Sequence, residues 1–250
     1  MAATDALLAA AMARDPARPL VTFYDDATGE RAELSATTLA NWVAKTANLL
    51  QDDVGLVPGD RVAVLLPAHW QTAAVLLGGW SVGAVLGTEP VGASAAFTDV
   101  RRSAAASAAA EVFALSLASL GRGFEAGPPA GTRDYVQEVR AHADQFVPLA
   151  PVPDTAPAVR LEEIVSSGAE LVDAAGRRAT ELGLLDRDRL LSTLPWNDPA
   201  DWVDGLLAPL AAGATLVLCP GAEPDGLVRR AEAEHVTATL GVSVPGIRQL

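Results

Sequence analysis

Short apolar runs alternate with amphipathic segments along most of the chain. The run VAVLL at residues 62–66 is continuously apolar and rich in β-branched residues, which is typical of a strand covered on both faces. Before it, apolar residues recur at helical spacing from Leu39 to Leu50, and Ser35 stands where an N-cap is expected. After it, a helix is predicted over residues 71–81. Strands that alternate with helices predict an α/β fold with parallel sheets.

The same order of segments occurs twice along the chain. VGLVPGDRVAVLLP begins at Val54, LGLLDRDRLLSTLP begins at Leu182, and the first glycine, the aspartate and the final proline keep identical spacing in both. The sequence therefore predicts two similar parallel-sheet α/β subdomains related by an internal repeat. We expect them to span residues 1–120 and 158–250. The Pro- and Gly-rich residues 121–157 form the expected connector, with a short helix capped by Thr132.

Composition narrows the classes of partner. The chain has 18 basic and 31 acidic residues and a formal charge of −13, which disfavours nucleic acid and anionic membrane surfaces. Its longest apolar stretch, from Ala73, is shorter than the ~20 residues that a transmembrane helix needs. The N-terminus predicts an amphipathic helix rather than a secretory signal. With the single cysteine, Cys219, in an apolar run, these features predict a soluble cytoplasmic protein.

Two short motifs resemble a nucleotide-binding pattern and a metal-binding pattern, but another interpretation is favoured for each. GRGFEA at residues 121–126 matches a weak dinucleotide fingerprint, but GPP follows and stops the helix that a pyrophosphate would need. Asp198, Asp201 and Asp204 repeat every third residue, as in a carboxylate cluster. Because Pro199 follows Asp198, an N-cap is the better interpretation.

No metal site or cofactor is predicted. The three histidines, His69, His142 and His235, are scattered and have no partner at ligand or triad spacing. His69 stands at a strand-to-helix corner, where either a cleft position or a capping role fits. Lys45 is the only lysine, so any chemistry that requires an amine depends on it or on another chain.

Two long stretches carry a resemblance to a known family. PLVTFYDDATGERAELSATTLANWVAKTANLL followed by PGDRVAVLLPAHWQTAAVLLGGWSVGAVL resembles the N-terminal region of adenylate-forming enzymes, the acyl-CoA synthetase and luciferase superfamily. DRDRLLSTLPWNDPADWVDGLLAPLAAGATLVL resembles the stretch that follows the phosphate loop of that family. The resemblance covers about residues 1–120 and 165–250. It implies a large domain with two similar α/β subdomains, and an activity that joins a carboxylate to AMP.

The family's phosphate loop has the form Ser/Thr-Ser-Gly-Thr-Thr-Gly-x-Pro-Lys-Gly. Its place here is VRLEEIVSSGAELVDAAG, residues 159–176, where Ser166, Ser167 and Gly168 match only the first three letters. The alternative places Ser167 at the cap of the helix that follows the loop, with the loop itself deleted. We favour the cap, because a phosphate loop needs several oriented N–H groups and a cation. No catalytic or nucleotide-binding residue is therefore predicted beyond this vestige.

Further departures concern the rest of the family's machinery. The family often has a histidine shortly after the LP of the LLSTLP strand, and WNDPADWVDG has none. Trp196, Asn197, Asp198 and Trp202 in that segment are candidates for lining a substrate pocket, although paired tryptophans also suit subdomain packing. The family's catalytic lysine lies in a small C-terminal domain, and the chain ends at Leu250, before any such domain.

Three functions remain open at this point. The first is a truncated, catalytically incomplete AMP-binding-like protein (a pseudoenzyme) with a binding or regulatory role toward a protein partner or an acyl-type or adenylate-like ligand. The second is one half of a split acyl-adenylating ligase that a partner chain completes. The third is a structural assembly module that self-associates into a homo-oligomer. The sequence favours the first.

Overall fold

Two mixed β-sheets frame the molecule in this computed structural model, which describes residues 2–250 apart from the side chains of Leu120, Pro224 and Asp225. The strands are β1 (Pro19–Asp25), β2 (Glu30–Ser35), β3 (Arg61–Leu65), β4 (Val85–Gly87), β5 (Ala95–Asp99), β6 (Glu111–Leu115), β7 (Arg133–Asp134), β8 (Pro157–Leu161), β9 (Ile164–Ser167), β10 (Arg189–Ser192), β11 (Thr215–Leu218), β12 (Ala238–Leu240) and β13 (Arg248–Gln249). The helices are α1 (Asp5–Arg14), α2 (Ala36–Asn48), α3 (Trp70–Ser81), α4 (Ser103–Ala106), α5 (Tyr135–Val139), α6 (Gly168–Glu181), α7 (Pro199–Trp202), α8 (Ala208–Ala212) and α9 (Pro224–Ala233).

The two sheets exchange β-hairpins. The seven-stranded sheet has the order β7-β6-β5-β3-β4-β8-β9, and the six-stranded sheet has the order β13-β12-β10-β11-β1-β2. The early hairpin β1–β2 therefore extends the sheet built from the later strands, and β8–β9 extends the sheet built from the earlier ones. In each case the first strand of the hairpin pairs in parallel, β1 with β11 and β8 with β4.

The internal repeat is visible in the strand order. β3 has β4 on one side and β5 on the other, and β10 in the same way has β11 and β12 as neighbours. The α/β class with two similar units is confirmed. The sheets are mixed rather than wholly parallel, because each ends in an antiparallel hairpin. Boundaries of the subdomains at residues 120 and 158 stay a prediction, since the hairpin exchange joins both parts of the chain to both sheets.

Caps fix the starts of several helices. Ser35 accepts a hydrogen bond from the Thr38 N–H at 3.1 Å and caps α2, as predicted. The prediction that Thr132 caps the connector helix is wrong. Asp134 does so, accepting from the Val136 N–H at 2.9 Å, because the helix begins only at Tyr135. A carboxylate accepts such bonds as readily as a hydroxyl does, so residue type alone did not separate the two positions.

Helix α3 forms the centre of the core. All its residues from Trp70 to Ser81 are buried, and it contacts α2 and strands of both sheets. Gly78 permits the close approach to α2, because a Cβ at this position would lie 2.7 Å from the Thr46 Cβ. The Trp80 indole N–H donates to the Ala158 carbonyl at 2.9 Å and ties α3 to β8.

Two segments near the seven-stranded sheet differ from the structure that their residue types favour. Helix α4 lasts only four residues, Ser103–Ala106, although the segment that contains it is rich in alanine, and Val100 before it is exposed in a turn. The segment AAFTD forms strand β5, although its alanines do not favour a strand. All five of its residues are buried, so packing decides its conformation. No helix within the described residues is long and apolar enough to cross a membrane.

Candidate functional site

Both sheets present a topological switch point at their carboxyl edge. In the seven-stranded sheet the chain runs from β3 to β4 on one side and then to β5 on the other. In the six-stranded sheet it runs from β10 to β11 and then to β12 on the opposite side. Ligands of open α/β sheets bind outside the carboxyl ends of the strands at such points.

The two switch points lie against each other. The Ala68 N–H, just after β3, donates to the Pro195 carbonyl, just after β10, at 3.0 Å. This bond places Asn197 beside the carboxyl end of β3. The loops of both sheets therefore meet at one place on the molecule.

A crevice of about 150 Å³ opens at this meeting point, and we call it the switch-point crevice. Its walls are Val64, Leu65, Leu66, Thr88, Arg102 and Asn197. Thr88 follows β4, and Arg102 follows β5. The crevice thus combines an apolar floor at β3 with a hydroxyl, a guanidinium and an amide at its rim.

Asp99 orients the guanidinium at this rim. Its carboxylate accepts from the Arg102 N–H at 2.9 Å and from Arg102 Nη1 at 2.8 Å. Asp99 is buried, and Arg102 is partly exposed. Because the carboxylate accepts at only one of the five guanidinium N–H donors, Arg102 keeps donor capacity for a further acceptor.

A larger groove borders the crevice and shares Thr88 with it. This outer groove has a volume of about 500 Å³ and is lined by Arg61, Val62, Val85, Gly87, Thr88, Glu89, Val91, Arg160, Glu162 and Glu163. Arg160 is partly engaged within the hairpin, since its Nε donates to the Glu162 carbonyl at 3.0 Å. Three carboxylates against two guanidinium groups give the groove an acidic balance.

Strands β8 and β9 are joined by a two-residue turn. Leu161 pairs with Ile164, so only Glu162 and Glu163 lie between the strands. Glu162 has a φ of 53°, which a two-residue hairpin turn requires although glutamate adopts it with strain. VRLEEIVSS is therefore a closed hairpin rather than one strand, and two carboxylates stand at its tip.

Ser166, Ser167 and Gly168 lie at the end of this hairpin and the start of α6. The Ser167 hydroxyl accepts from the Glu170 N–H at 3.3 Å, and the Glu170 carboxylate accepts from the Ser167 N–H at 2.8 Å. This is a capping box. The bonds from the Ser167 backbone and side chain lower the pKa of Glu170.

The first N–H groups of α6 already have acceptors. The Gly168 N–H donates to the Ala156 carbonyl at 3.0 Å, and the Ala169 N–H donates to the Asp154 carbonyl at 2.8 Å. The Glu170 N–H donates to Ser167. An anion at this helix N-terminus would have to displace bonds within the protein.

Lys45, the only lysine, is engaged elsewhere. It lies on α2, and its ammonium group pairs with Asp144 at 2.9 Å and donates to the His142 carbonyl at 2.5 Å. These contacts fasten the connector to α2. Lys45 does not line either the switch-point crevice or the outer groove.

Of the four candidate pocket residues, the structure brings only Asn197 to the crevice. Trp196 and Trp202 are buried in the core, and the Trp202 indole N–H donates to the Trp196 carbonyl at 3.3 Å. Trp196 has a φ of 58° and packs against Gly205, where any Cβ would overlap its indole nitrogen. These contacts fit the packing alternative that the sequence left open.

The three regularly spaced aspartates have separate tasks. Asp198 caps α7 and accepts from the Ala200 N–H at 2.8 Å. Asp201 accepts from the Asn197 N–H at 2.7 Å. Asp204 binds Arg178 of α6 through two bonds of 2.8 and 3.0 Å. Within residues 2–250 no group of three or more His, Cys, Asp or Glu side chains is arranged to hold a metal ion.

His69 is a buried capping residue. Its Nδ1 accepts from the Gln71 N–H at 3.1 Å and caps α3, and its ring contacts Phe23 at 4.3 Å between centroids. Burial lowers the pKa of His69 to about 3. The imidazole is therefore neutral, and the capping and cleft alternatives are resolved in favour of the cap.

Sequence reasoning missed Thr88, Arg102, Arg160 and the glutamates of the hairpin tip as site residues. Thr88 and Arg102 carried a usable signal, because each is a polar residue shortly after a strand, β4 and β5, where ligands of α/β sheets bind. The hairpin carried a weaker one. Glu162 and Glu163 interrupt the apolar pattern for only two residues, which is too short to distinguish from a polar pair within one strand.

Comparison with known proteins supports the resemblance. The family model described as AMP-binding enzyme matches residues 8–170. A protein of Mycobacterium tuberculosis, named only by its family, is 46% identical over 242 residues, covering 94% of this chain and 96% of that protein.

Solved structures of ligases share the fold. An anthranilate CoA ligase in complex with anthranoyl-AMP superposes with a TM-score of 0.77 at 15% identity, covering 96% of this chain and 49% of the ligase. Acetoacetyl-CoA synthetase from Streptomyces lividans superposes with a TM-score of 0.76 at 22% identity, covering 96% and 42%. This chain thus spans about half the length of these structures. The family model, which matches more than half of the chain, and the mycobacterial relative establish that the chain belongs to the AMP-binding enzyme family.

Proposed function

We propose that this chain does not form acyl-adenylates and acts instead as a binding or regulatory protein that takes a small carboxylate in its switch-point crevice. The observation that carries the proposal is the two-residue turn at Glu162 and Glu163. By the resemblance, the family's phosphate loop belongs between the strands that this turn joins. Two carboxylates there repel the phosphates that the loop would hold.

The neighbouring helix supports the same conclusion. A phosphate site at a helix N-terminus needs N–H groups that are free to bind the anion, usually with a lysine. At α6 the N–H groups of Gly168, Ala169 and Glu170 have acceptors within the chain. Lys45 pairs with Asp144. Without these contacts, which contribute about 1.5–3 kcal/mol each when a charged group is involved, ATP affinity falls by several orders of magnitude.

The size of the crevice limits its ligand. Pockets for drug-sized ligands usually enclose about 300–1,000 Å³, whereas the switch-point crevice encloses about 150 Å³. That space equals about five water molecules. A short carboxylic acid fits it, with the acyl chain on Val64 and Leu66 and the carboxylate at Arg102. The planar guanidinium suits a carboxylate.

NMR titration of the ¹⁵N-labelled chain with carboxylates of increasing chain length tests this assignment. We expect saturable shifts of the Leu66, Thr88 and Asn197 amides with propionate and butyrate, and weaker binding of long-chain acids. Arg102→Gln should abolish the saturation. Arg101→Gln, which changes the exposed neighbouring residue, is the matched control and should leave it intact. Shifts that are absent, or that are equal in both variants, would refute the carboxylate site.

A further inference from the structure

The free edge of strand β9 differs from the corresponding edge of the other sheet. β9 ends the seven-stranded sheet, and β2 ends the six-stranded sheet, each as the second strand of an exchanged hairpin. β2 has the sequence ERAELS and exposes charged residues, which protect a sheet edge from pairing. β9 has the sequence IVSS. The exposed edge at β9 therefore lacks this protection.

Apolar side chains surround this edge. Ile164 is 68% exposed, Val165 is 46% exposed, and Leu161 on the neighbouring strand is 39% exposed. Isolated exposed apolar residues are common, but these three lie together on one hairpin. We call Leu161, Ile164 and Val165 the apolar edge.

The hairpin register shows which backbone groups point outward. Leu161 and Ile164 form the pair next to the two-residue turn, which is a hydrogen-bonded pair in such hairpins. Because antiparallel pairs alternate, Arg160 and Val165 form a non-hydrogen-bonded pair. The N–H and C=O of Val165 therefore point away from β8, toward any added strand.

Acidic residues flank the apolar edge at both ends. Glu162 and Glu163 stand at the turn, and both are exposed. At the other end, Asp154 and Glu170 are exposed beside the start of α6. Arg160 is the basic residue of this hairpin, and it pairs with Glu163 at 3.4 Å. A strand added here would lie with its ends near carboxylates.

We propose that the apolar edge is a docking site for an extended segment of a partner protein with an apolar centre and basic flanks. The segment would add a strand next to β9, bonding the backbone of Val165 and covering Ile164. Its basic flanks would meet the acidic residues at the two ends of the edge. A second copy of the chain fits less well, because it would bring the same carboxylates together at a formal charge of −13 per chain.

The test uses three blocked peptides and the full chain. The peptide KRVTVRK has the proposed pattern, EEVTVEE reverses its charge, and KRVPVRK keeps the charge but loses a central backbone donor. Fluorescence anisotropy should show saturable binding of KRVTVRK, with binding of the other two weaker by about tenfold or more. Binding of KRVTVRK should also weaken as salt rises, because the flanking pairs are exposed.

Val165→Pro is the decisive variant. Proline removes the outward N–H of Val165 but no bond to β8, and edge strands tolerate proline where the N–H faces solvent. The variant should fold, as circular dichroism will show, and should bind KRVTVRK about tenfold more weakly. The control Val228→Thr changes an exposed apolar residue on α9, away from the apolar edge. This variant should bind KRVTVRK as the wild type does.

A second variant tests the charge argument if Val165→Pro fails to fold. Glu162→Lys combined with Glu163→Lys should weaken KRVTVRK and strengthen EEVTVEE. Equal binding of KRVTVRK and KRVPVRK, or no binding of either, would overturn the proposal. Sedimentation of the wild-type chain as a dimer that Val165→Pro dissociates would also overturn it, in favour of a second copy as the occupant.

Discussion

Glu234 shows how a single buried carboxylate joins distant parts of the chain. It accepts from the Tyr24 hydroxyl at 2.6 Å, from Arg31 Nε at 2.9 Å and from Arg189. Burial raises the pKa of Glu234, but the hydrogen bonds from Arg31, Tyr24 and Arg189 outweigh it and lower the pKa to about 2. The exchanged hairpin β1–β2 is therefore held to the six-stranded sheet by charge as well as by strand pairing.

Glu234→Gln should lower the free energy of unfolding by about 2–4 kcal/mol at neutral pH, because two guanidinium groups lose their carboxylate. Urea unfolding measures this. The folded pKa lies below the ordinary value of 4.5, so the stabilisation is present above pH 4.5 and is lost as pH falls toward about 2. The gap between wild type and variant should narrow over that range. Glu232→Gln, at an exposed neighbour, should change stability little, and an equal loss there would contradict the assignment.

His69→Asn tests the buried neutral imidazole. Asparagine keeps a side-chain acceptor at the cap of α3 but does not titrate. Because the folded pKa of His69 is about 3 and the ordinary value is 6.5, wild-type stability should fall as pH drops from 6.5 to about 3. Over this range the loss of stability due to His69 approaches about 1.4 kcal/mol per pH unit, and His69→Asn should lack this pH dependence. His235→Asn, at an exposed residue with φ of 52°, should retain the wild-type slope.

At the scale of elements, local signals predicted well apart from the cap at Thr132, and non-local ones did not. Ser35 and Asp198 cap the predicted helices because an N-cap bond spans only two or three residues. The pairing of β8 with β4 instead joins segments far apart in sequence, and no local pattern encodes it. The repeat predicted two similar units but not the exchange of hairpins between them. Asn197, a candidate taken from the resemblance, lies at the switch-point crevice, whereas the position of Arg102 there depends on the strand order.

Ser167→Ala distinguishes a cap from a phosphate ligand. Loss of the capping box should lower the free energy of unfolding by about 1 kcal/mol, measured by urea denaturation. The response of the chain to magnesium-ATP should be unchanged, because the Ser167 hydroxyl is already engaged in the capping box with Glu170. Ser166→Ala is the matched control and should leave stability nearly unaltered. A loss of ATP affinity in Ser167→Ala would mean that the segment is a phosphate site.

At the scale of the whole molecule, hairpin exchange makes the two sheets depend on each other. The seven-stranded sheet needs β8–β9 from the later half, and the six-stranded sheet needs β1–β2 from the earlier half. Helix α3, buried between them, gives both a common core. The chain should therefore unfold as one cooperative unit rather than as two domains.

Separate fragments of residues 1–150 and 151–250 test this dependence. Neither should fold alone, because each lacks the hairpin that extends its own sheet. The first fragment would also expose the apolar surface of α3, and the second would expose the surface that packs against α3. Mixing them should restore circular dichroism and amide dispersion. Independent cooperative unfolding of either fragment would show that the exchange is not needed for stability.

The most direct test of the central claim is calorimetric titration of the folded chain with magnesium-ATP, beside a non-hydrolysable acyl-adenylate mimic. Because our proposal assigns the place of the family's phosphate loop to the turn at Glu162 and Glu163, we predict no ATP binding tighter than about 1 mM. The mimic should bind no better, because a switch-point crevice of about 150 Å³ has room for only a short acyl group. Micromolar ATP binding would contradict the account. It would favour the adenylate-forming reaction that the family resemblance implies.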